Sequence, residues 1–155
     1  MGTTVRESII QNIKTTLEAI TIANGYNATI AKVVQWNPNG IGHGTMPMII
    51  IAAGPEPNSE NEGYDLQTCR MTVFLDLWIA VDEDATEAAD TTLNKHLGDI
   101  KKALMTDLTR GGYAVTTHIT DVEPFDVVEG QPYAGLIITA EVHYRHAISN
   151  PETAG

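Results

Sequence analysis

One long stretch of alternating residues constrains this chain more than any other feature. From residue 69 to residue 81 every second side chain is apolar: Cys69, Met71, Val73, Leu75, Leu77, Ile79 and Val81. Because successive side chains of a β-strand point to opposite faces, this period predicts a strand whose odd-numbered face lies in the core. The even-numbered face carries Arg70, Thr72, Phe74, Asp76 and Trp78. Two large aromatic side chains on that second face indicate that it meets a partner, because solvent alone does not favour them there.

Two amphipathic helices are predicted, one before and one after this strand. The first, in residues 5–23, has Thr3 or Thr4 as N-cap and Asn24-Gly25 as its stop. Its apolar side chains recur at helical spacing: Val5, Ile9, Ile13, Leu17 and Ile20. The second is expected to start at the N-cap Asp84, with Glu87 completing a capping box, and to end at Gly111-Gly112. Its apolar face consists of Ala89, Leu93, Leu97, Ile100 and Leu104.

Shorter apolar or alternating runs predict four more strands, at residues 30–36, 48–52, 113–119 and 136–146. The last strand carries Ile137, His143 and Arg145 on one face, which we expect to meet the face of Phe74 and Trp78. The element order lacks the regular strand and helix alternation of a doubly wound sheet. The sequence therefore predicts an α+β fold, with a mixed or antiparallel sheet of about five strands and two helices packed on one face. A single domain is expected over residues 1–150, followed by a disordered tail at residues 151–155.

Residues 54–65 contain four acidic side chains and no basic one: Glu56, Glu60, Glu62 and Asp65. Two prolines and two glycines interrupt the same segment. This composition predicts a mobile acidic loop.

Charge and composition exclude several classes of function. The chain has 20 acidic and 9 basic residues and a formal charge of −11, so its surface disfavours binding to nucleic-acid phosphates. Cys69 is the only cysteine, which excludes an internal disulfide and predicts a buried, inert thiol. The longest apolar stretch without a charge, residues 46–54, is shorter than the roughly 20 residues of a membrane span. The N-terminus does not resemble a secretory signal, so we expect a cytoplasmic protein without a membrane partner.

Three sequence patterns resemble ligand-binding or catalytic sites, but their residue spacing does not fit such sites. The glycine-rich residues 40–44 lack a nucleotide-loop lysine and lead into a strand, which favours a tight turn over a phosphate site. The acidic residues 82–90 lack the glycine of a calcium loop and are typical of a helix N-terminus. His143 and His146 are three residues apart on a strand, so their side chains point to opposite faces. We therefore predict no catalytic residue, no metal and no cofactor, and the chain is not expected to be an enzyme.

Several segments occur in a characteristic order across residues 5–151. They are the helix that begins Val5-Arg6-Glu7-Ser8-Ile9-Ile10, the strand at 46–51 leading into Gly54-Pro55-Glu56, the strand at 71–81, the helix ending at 99–104, the Gly111-Gly112 break, and the closing Val142-His143-Tyr144-Arg145. This order resembles the tail terminator or minor tail proteins of long-tailed bacteriophages. The resemblance implies a subunit that forms a ring, commonly a hexamer, on the end of the tail tube. Such a ring stops tube growth and presents a surface for head joining.

The resemblance also implies partners and a location. The partners would be further copies of this chain, the tail tube protein and a head-completion or neck protein, with genome DNA passing through the ring without specific binding. The protein would be part of the virion tail and be assembled in the host cytoplasm. Two alternatives stay open: a head-to-tail neck or completion protein, and an unrelated ligand-binding or enzymatic α+β domain.

Two surfaces are candidates for assembly. The first is the second sheet face, because aromatic side chains with arginine are typical of interface centres. It consists of Arg70, Phe74, Asp76, Trp78, Ile137, His143 and Arg145. The alternative is that residues 121–132 fold over this face and bury it within the subunit. The second candidate is the acidic loop with Glu56, Glu60, Glu62 and Asp65, which we expect to order against a tail partner.

Overall fold

The computed structural model describes residues 2–37, 45–81, 86–125 and 132–155. In these ranges the helices are α1 (Val5–Glu18), the short 3-10 helix η1 (Ile22–Asn24) and α2 (Ala89–Thr106). The strands are β1 (Lys32–Gln35), β2 (Met48–Ala53), β3 (Glu60–Glu62), β4 (Leu66–Ala80), β5 (Thr116–Pro124), β6 (Tyr133–Ala147) and β7 (Asn150–Ala154). The glycine-rich residues 40–44 and the predicted N-cap Asp84 lie outside the described residues.

All seven of these strands belong to one mixed sheet. Its main order is β1-β2-β4-β6-β5, while β3 pairs with β4 and β7 pairs with β6. β1 runs parallel to β2, and the other pairs are antiparallel. This arrangement confirms the predicted α+β class with five main strands.

The odd-numbered face of β4 forms the centre of the core. Its side chains from Cys69 to Leu77 are 0% exposed, and both helices bury their apolar stripes against them. Leu75, Leu77 and Ile100 lie in this one cluster, and Leu97 packs against it, as the periodicities predict. Cys69 is a buried free thiol, and burial raises its pKa. Val81, predicted on the same face, instead follows the strand and is exposed.

The first helix begins as predicted but ends earlier. The Thr4 hydroxyl accepts a hydrogen bond from Glu7 N at 3.1 Å, which identifies Thr4 as the N-cap. The helix stops at Glu18 because the chain turns to place Ile20 in the core, where its carbonyl accepts from Ile30 N at 3.0 Å. Gly25, with φ of 90°, ends the following 3-10 helix.

The second helix starts at Ala89, later than the predicted capping box requires. Ala88 occupies the N-cap position and makes no side-chain capping hydrogen bond. Glu87 instead accepts from Thr92 Oγ1 at 2.8 Å and from Lys95 Nζ at 2.6 Å. The capping-box prediction is therefore wrong for the start of α2.

The same helix buries a carboxylate that its apolar pattern does not indicate. Asp99 is 1% exposed. Its oxygens accept from Asn27 N and Asn27 Nδ2 at 3.1 Å and from Ala28 N at 3.0 Å. These hydrogen bonds fix the segment after η1 to α2, across about 72 residues of sequence.

The turn after α2 is held from inside by Arg110. This residue is 0% exposed, has φ of 51°, and donates through Nη2 to the carbonyl oxygens of Leu104 and Asp107. The Asp107 carboxylate accepts from Thr109 N at 2.9 Å and Gly111 N at 2.7 Å. Because this turn extends to residue 115, β5 begins at Thr116 and not at the predicted residue 113.

The C-terminal segment differs from the predicted disordered tail at residues 151–155. It forms β7, whose five residues are all exposed and pair with the end of β6. Gly155 N also donates to Arg145 O at 3.2 Å. The strand is held by backbone hydrogen bonds. Because these do not require an apolar residue at every second position, the sequence pattern does not indicate the strand.

Candidate assembly surface

The second sheet face is the side of the sheet opposite the two helices. On it, β4 and β6 place Asp76 opposite Ile137, Arg70 opposite His143 and Thr68 opposite Arg145. The structure therefore brings together the predicted residues of β4 and β6 on one face. Phe74 and Trp78 lie opposite Thr139 and Gly135.

The two aromatic side chains of β4 pack partly against their own chain. A Cβ atom on Gly54 would lie 2.7 Å from Phe74 Cε2, so the ring covers this glycine. Phe125 stacks on Trp78, with ring centroids 4.3 Å apart and an angle of 19° between the planes. The predicted covering by residues 121–132 thus holds for Trp78. Residues 121–124 belong to the edge strand β5, and residues 126–131 lie outside the described part of the chain.

Asp76 is a half-buried carboxylate at the centre of an apolar area. Its neighbours in register are Ile50 on β2 and Ile137 on β6. Burial raises the pKa of Asp76. Among the described residues no hydrogen bond or ion pair involves this carboxylate. An ionised carboxylate in such a place loses hydration without gaining a partner, so a cation from outside the subunit would stabilise it.

The other end of the second face is charged. Arg145 Nε lies 3.3 Å from Glu62 Oε2, an ion pair without hydrogen-bond geometry. His143 Nε2 lies 2.5 Å from Glu141 Oε1, and the His118 ring meets His143 edge-on at 5.6 Å. Arg145 and His143 are therefore engaged within the subunit. Asp76, Ile137 and the exposed Arg70 are the better candidates for contact with another protein.

The acidic loop is folded onto the subunit at both ends. Glu56 accepts from Arg6 Nη1 at 3.0 Å and from the Tyr144 hydroxyl at 2.5 Å, while Arg6 Nη2 donates to Gly54 O at 2.6 Å. Burial is the main cause that raises the pKa of Tyr144, and the neighbouring Glu56 carboxylate raises it further. Glu56 thus anchors the loop and is not a free contact for a tail partner.

The far end of this loop is a β-hairpin. Glu60 and Glu62 lie in β3, which pairs with β4 through a turn at Gly63, where φ is 67°. Asp65 O accepts from Ile148 N at 2.8 Å. The predicted mobile loop is thus in large part hydrogen-bonded, although the side chains of Glu60, Glu62 and Asp65 stay exposed.

A shallow pocket of about 190 Å³ lies between α2 and the end of β4. Its lining includes His96, whose buried Nδ1 has no partner within the described ranges and whose pKa is lowered by burial. Its other lining residues are Met46, Pro47, Ile79, Ala80 and Thr92. One imidazole and one hydroxyl are fewer convergent polar groups than a ligand site typically provides.

The described ranges contain no group of three or more His, Cys, Asp or Glu side chains that could hold a metal ion. Nor is either helix there long and apolar enough to cross a bilayer.

Comparison with known proteins does not assign a family. No protein-family model matches the chain, and no curated protein matches its sequence.

Proposed function

We propose that this chain is a structural subunit of a bacteriophage tail, a tail terminator. Copies of it form a ring on the end of the tail tube, end tube polymerisation and offer a surface for head joining. The second sheet face, with the half-buried Asp76 and Ile137 side by side, is the observation that carries this proposal. A terminator acts through contacts with other subunits, and this face offers an apolar area around a carboxylate that has no partner in the described part of the chain.

Ring formation requires two different complementary surfaces on each subunit, because a head-to-tail contact must repeat until the ring closes. The helices bury one side of the sheet. On the other side, the area around Asp76 and Ile137 is the surface that we assign to a neighbouring copy. Apolar contact supplies the binding energy there, and the polar groups at its rim set the orientation.

The net charge of the chain also supports this role. A formal charge of −11 gives each subunit an acidic surface. A ring of such subunits disfavours adsorption of phosphate, so genome DNA can slide through its channel.

Replacing Ile137 with Ser tests this function. The side chain is half-buried on the second face, so the free subunit should lose some stability but stay folded, while self-association and binding to tail tubes are lost. Ile22→Ser is the matched control, because Ile22 is 66% exposed and lies in η1, away from the sheet. Thermal melting and analytical sedimentation, with and without tail tubes, measure both effects.

The outcomes separate the candidate roles. An Ile137→Ser protein that assembles like the Ile22→Ser protein would remove the second face from the assembly. A wild-type chain that binds finished tails or heads without stopping tube growth would favour the neck or completion role.

A further inference from the structure

The turn between α2 and β5 exposes four large apolar side chains within residues 105–115. Their exposed fractions lie between 38% and 50%: Met105, Leu108, Tyr113 and Val115. We call this segment the α2–β5 corner. It is separate from the second sheet face, because α2 packs on the other side of the sheet. Four exposed apolar side chains around one turn favour an interaction site, whereas scattered single ones are common on any surface.

This corner is rigid. Arg110 braces the end of α2 from inside, and the Asp107 carboxylate ties the turn to Thr109 and Gly111. Ala114 N donates to Thr109 O at 2.8 Å, and Val115 N donates to His143 O at 2.7 Å. A surface held in this way loses little conformational entropy when a partner binds, which favours association.

A lysine side chain borders the corner. Lys101 is exposed and lies four residues before Met105, so both side chains share one side of α2. The other lysines of this helix have contacts: Lys95 pairs with Glu87 at 2.6 Å, and Lys102 donates to Gly25 O at 3.2 Å. No hydrogen bond or ion pair joins Lys101 to the described portion of the chain.

We propose that in the assembled ring the α2–β5 corner of each subunit docks on the second sheet face of the next copy, with Lys101 meeting Asp76. This inference rests on the proposed function and names the two surfaces that join the subunits. The corner exposes four apolar side chains beside the Lys101 cation, and the face has an apolar area around the Asp76 carboxylate; neither charge has a partner within the described ranges. The two surfaces are therefore complementary in both polarity and charge.

A face-to-face contact between two copies would be less favourable. It would bring two Asp76 carboxylates into one apolar area, while the exposed Arg70 of the same face lies six residues away along β4. A contact between corner and face is also heterologous, as a closed ring of more than two subunits requires.

Complementation between two defective variants tests this pairing. The corner variant carries Leu108→Ser and Tyr113→Ser, and the face variant carries Ile137→Ser. Each alone should self-associate at least about tenfold more weakly than wild type, because each lacks one interface anchor. In an equimolar mixture, the intact corner of the face variant can still bind the intact face of the corner variant. The mixture should therefore form heterodimers but no larger assembly, because the remaining corner and face are both defective. Sedimentation of the separate and mixed proteins gives these species directly, with Ile22→Ser as the control that assembles fully.

A charge exchange tests the contact between Lys101 and Asp76. Asp76→Lys and Lys101→Asp should each weaken assembly, and the double exchange should restore most of it. Asp76→Asn is the control for a folding defect. It should leave the melting temperature of the free subunit unchanged or higher, because a carboxylate without a partner in the described ranges is removed. It should still weaken assembly.

The inference would be overturned by a corner variant that caps tail tubes as wild type does, by a mixture without heterodimers, or by a double exchange that restores nothing. In these cases the proposed function would stand if the wild type caps tubes. A wild-type chain that neither self-associates nor caps tubes would overturn both proposals.

Discussion

Leu77→Ala is expected to lower the free energy of unfolding by about 2–5 kcal/mol. Leu77 is 0% exposed at the centre of β4, between Ile49 on β2 and Leu136 on β6. Truncation removes buried apolar area and leaves a cavity that strands on both sides prevent from collapsing. Urea denaturation followed by circular dichroism measures the change.

Leu108→Ala is the matched control for this substitution. The residue type and the change are the same, but Leu108 is 41% exposed, so its effect on the unfolding free energy should be about 0.5 kcal/mol or less. Equal denaturation midpoints for the two variants would show that the odd-numbered face of β4 is not the core.

The second large effect is expected for Asp99→Ala, which should lower the free energy of unfolding by about 2–4 kcal/mol. The carboxylate is 1% exposed and accepts from two backbone amides, Asn27 N and Ala28 N, and from the Asn27 side chain. Alanine leaves these donors without a partner, and only part of that loss is recovered by water. Amide hydrogen exchange at Asn27 and Ala28 should accelerate in the same variant.

Two further variants give the loss of stability in Asp99→Ala a scale for comparison. Asp99→Asn keeps one acceptor oxygen and should have an intermediate stability, whereas Asp90→Ala removes an exposed carboxylate from the first turn of the same helix and should cost about 1 kcal/mol or less. If Asp99→Ala is as stable as Asp90→Ala, the hydrogen bonds to residues 27 and 28 contribute nothing to folding.

The fold could be predicted where one side of an element is uniformly apolar. In β4 every second side chain from Cys69 to Ile79 is buried, and the period of two follows directly from the pleat of the strand. α1 behaves in the same way, because its buried side chains repeat at helical spacing after the N-cap Thr4. These local patterns were sufficient for the α+β class.

Features that depend on distant partners could not be predicted in this way. Asp99 is polar, yet it lies in the core because a segment about 72 residues away supplies its donors. β7 is held by its backbone, so Asn150, Pro151 and Glu152 show no apolar pattern. Tyr113 and Val115 continue the alternation of β5 in the sequence, but the turn built on Arg110 places them outside the strand.

In the candidate site, too, local patterns could be predicted and contacts between distant residues could not. The residues of the second face follow from the alternation in β4 and β6, and the register places Asp76 beside Ile137. The sequence does not indicate that Phe125 stacks on Trp78 or that Glu56 is held by Arg6 and Tyr144, because these contacts form only in the folded chain. The exposure of the four apolar side chains of the α2–β5 corner likewise depends on the turn that Arg110 holds, although their position around Gly111-Gly112 is visible in the sequence.

Electron microscopy of growing tail tubes tests the central claim most directly. Tube protein polymerises with and without the purified chain, and images record the tube ends and the distribution of tube lengths. The proposed function predicts a ring on one end of each tube and no further growth after the ring has bound. Tubes that keep growing at the same rate, with no added density at either end, would contradict it.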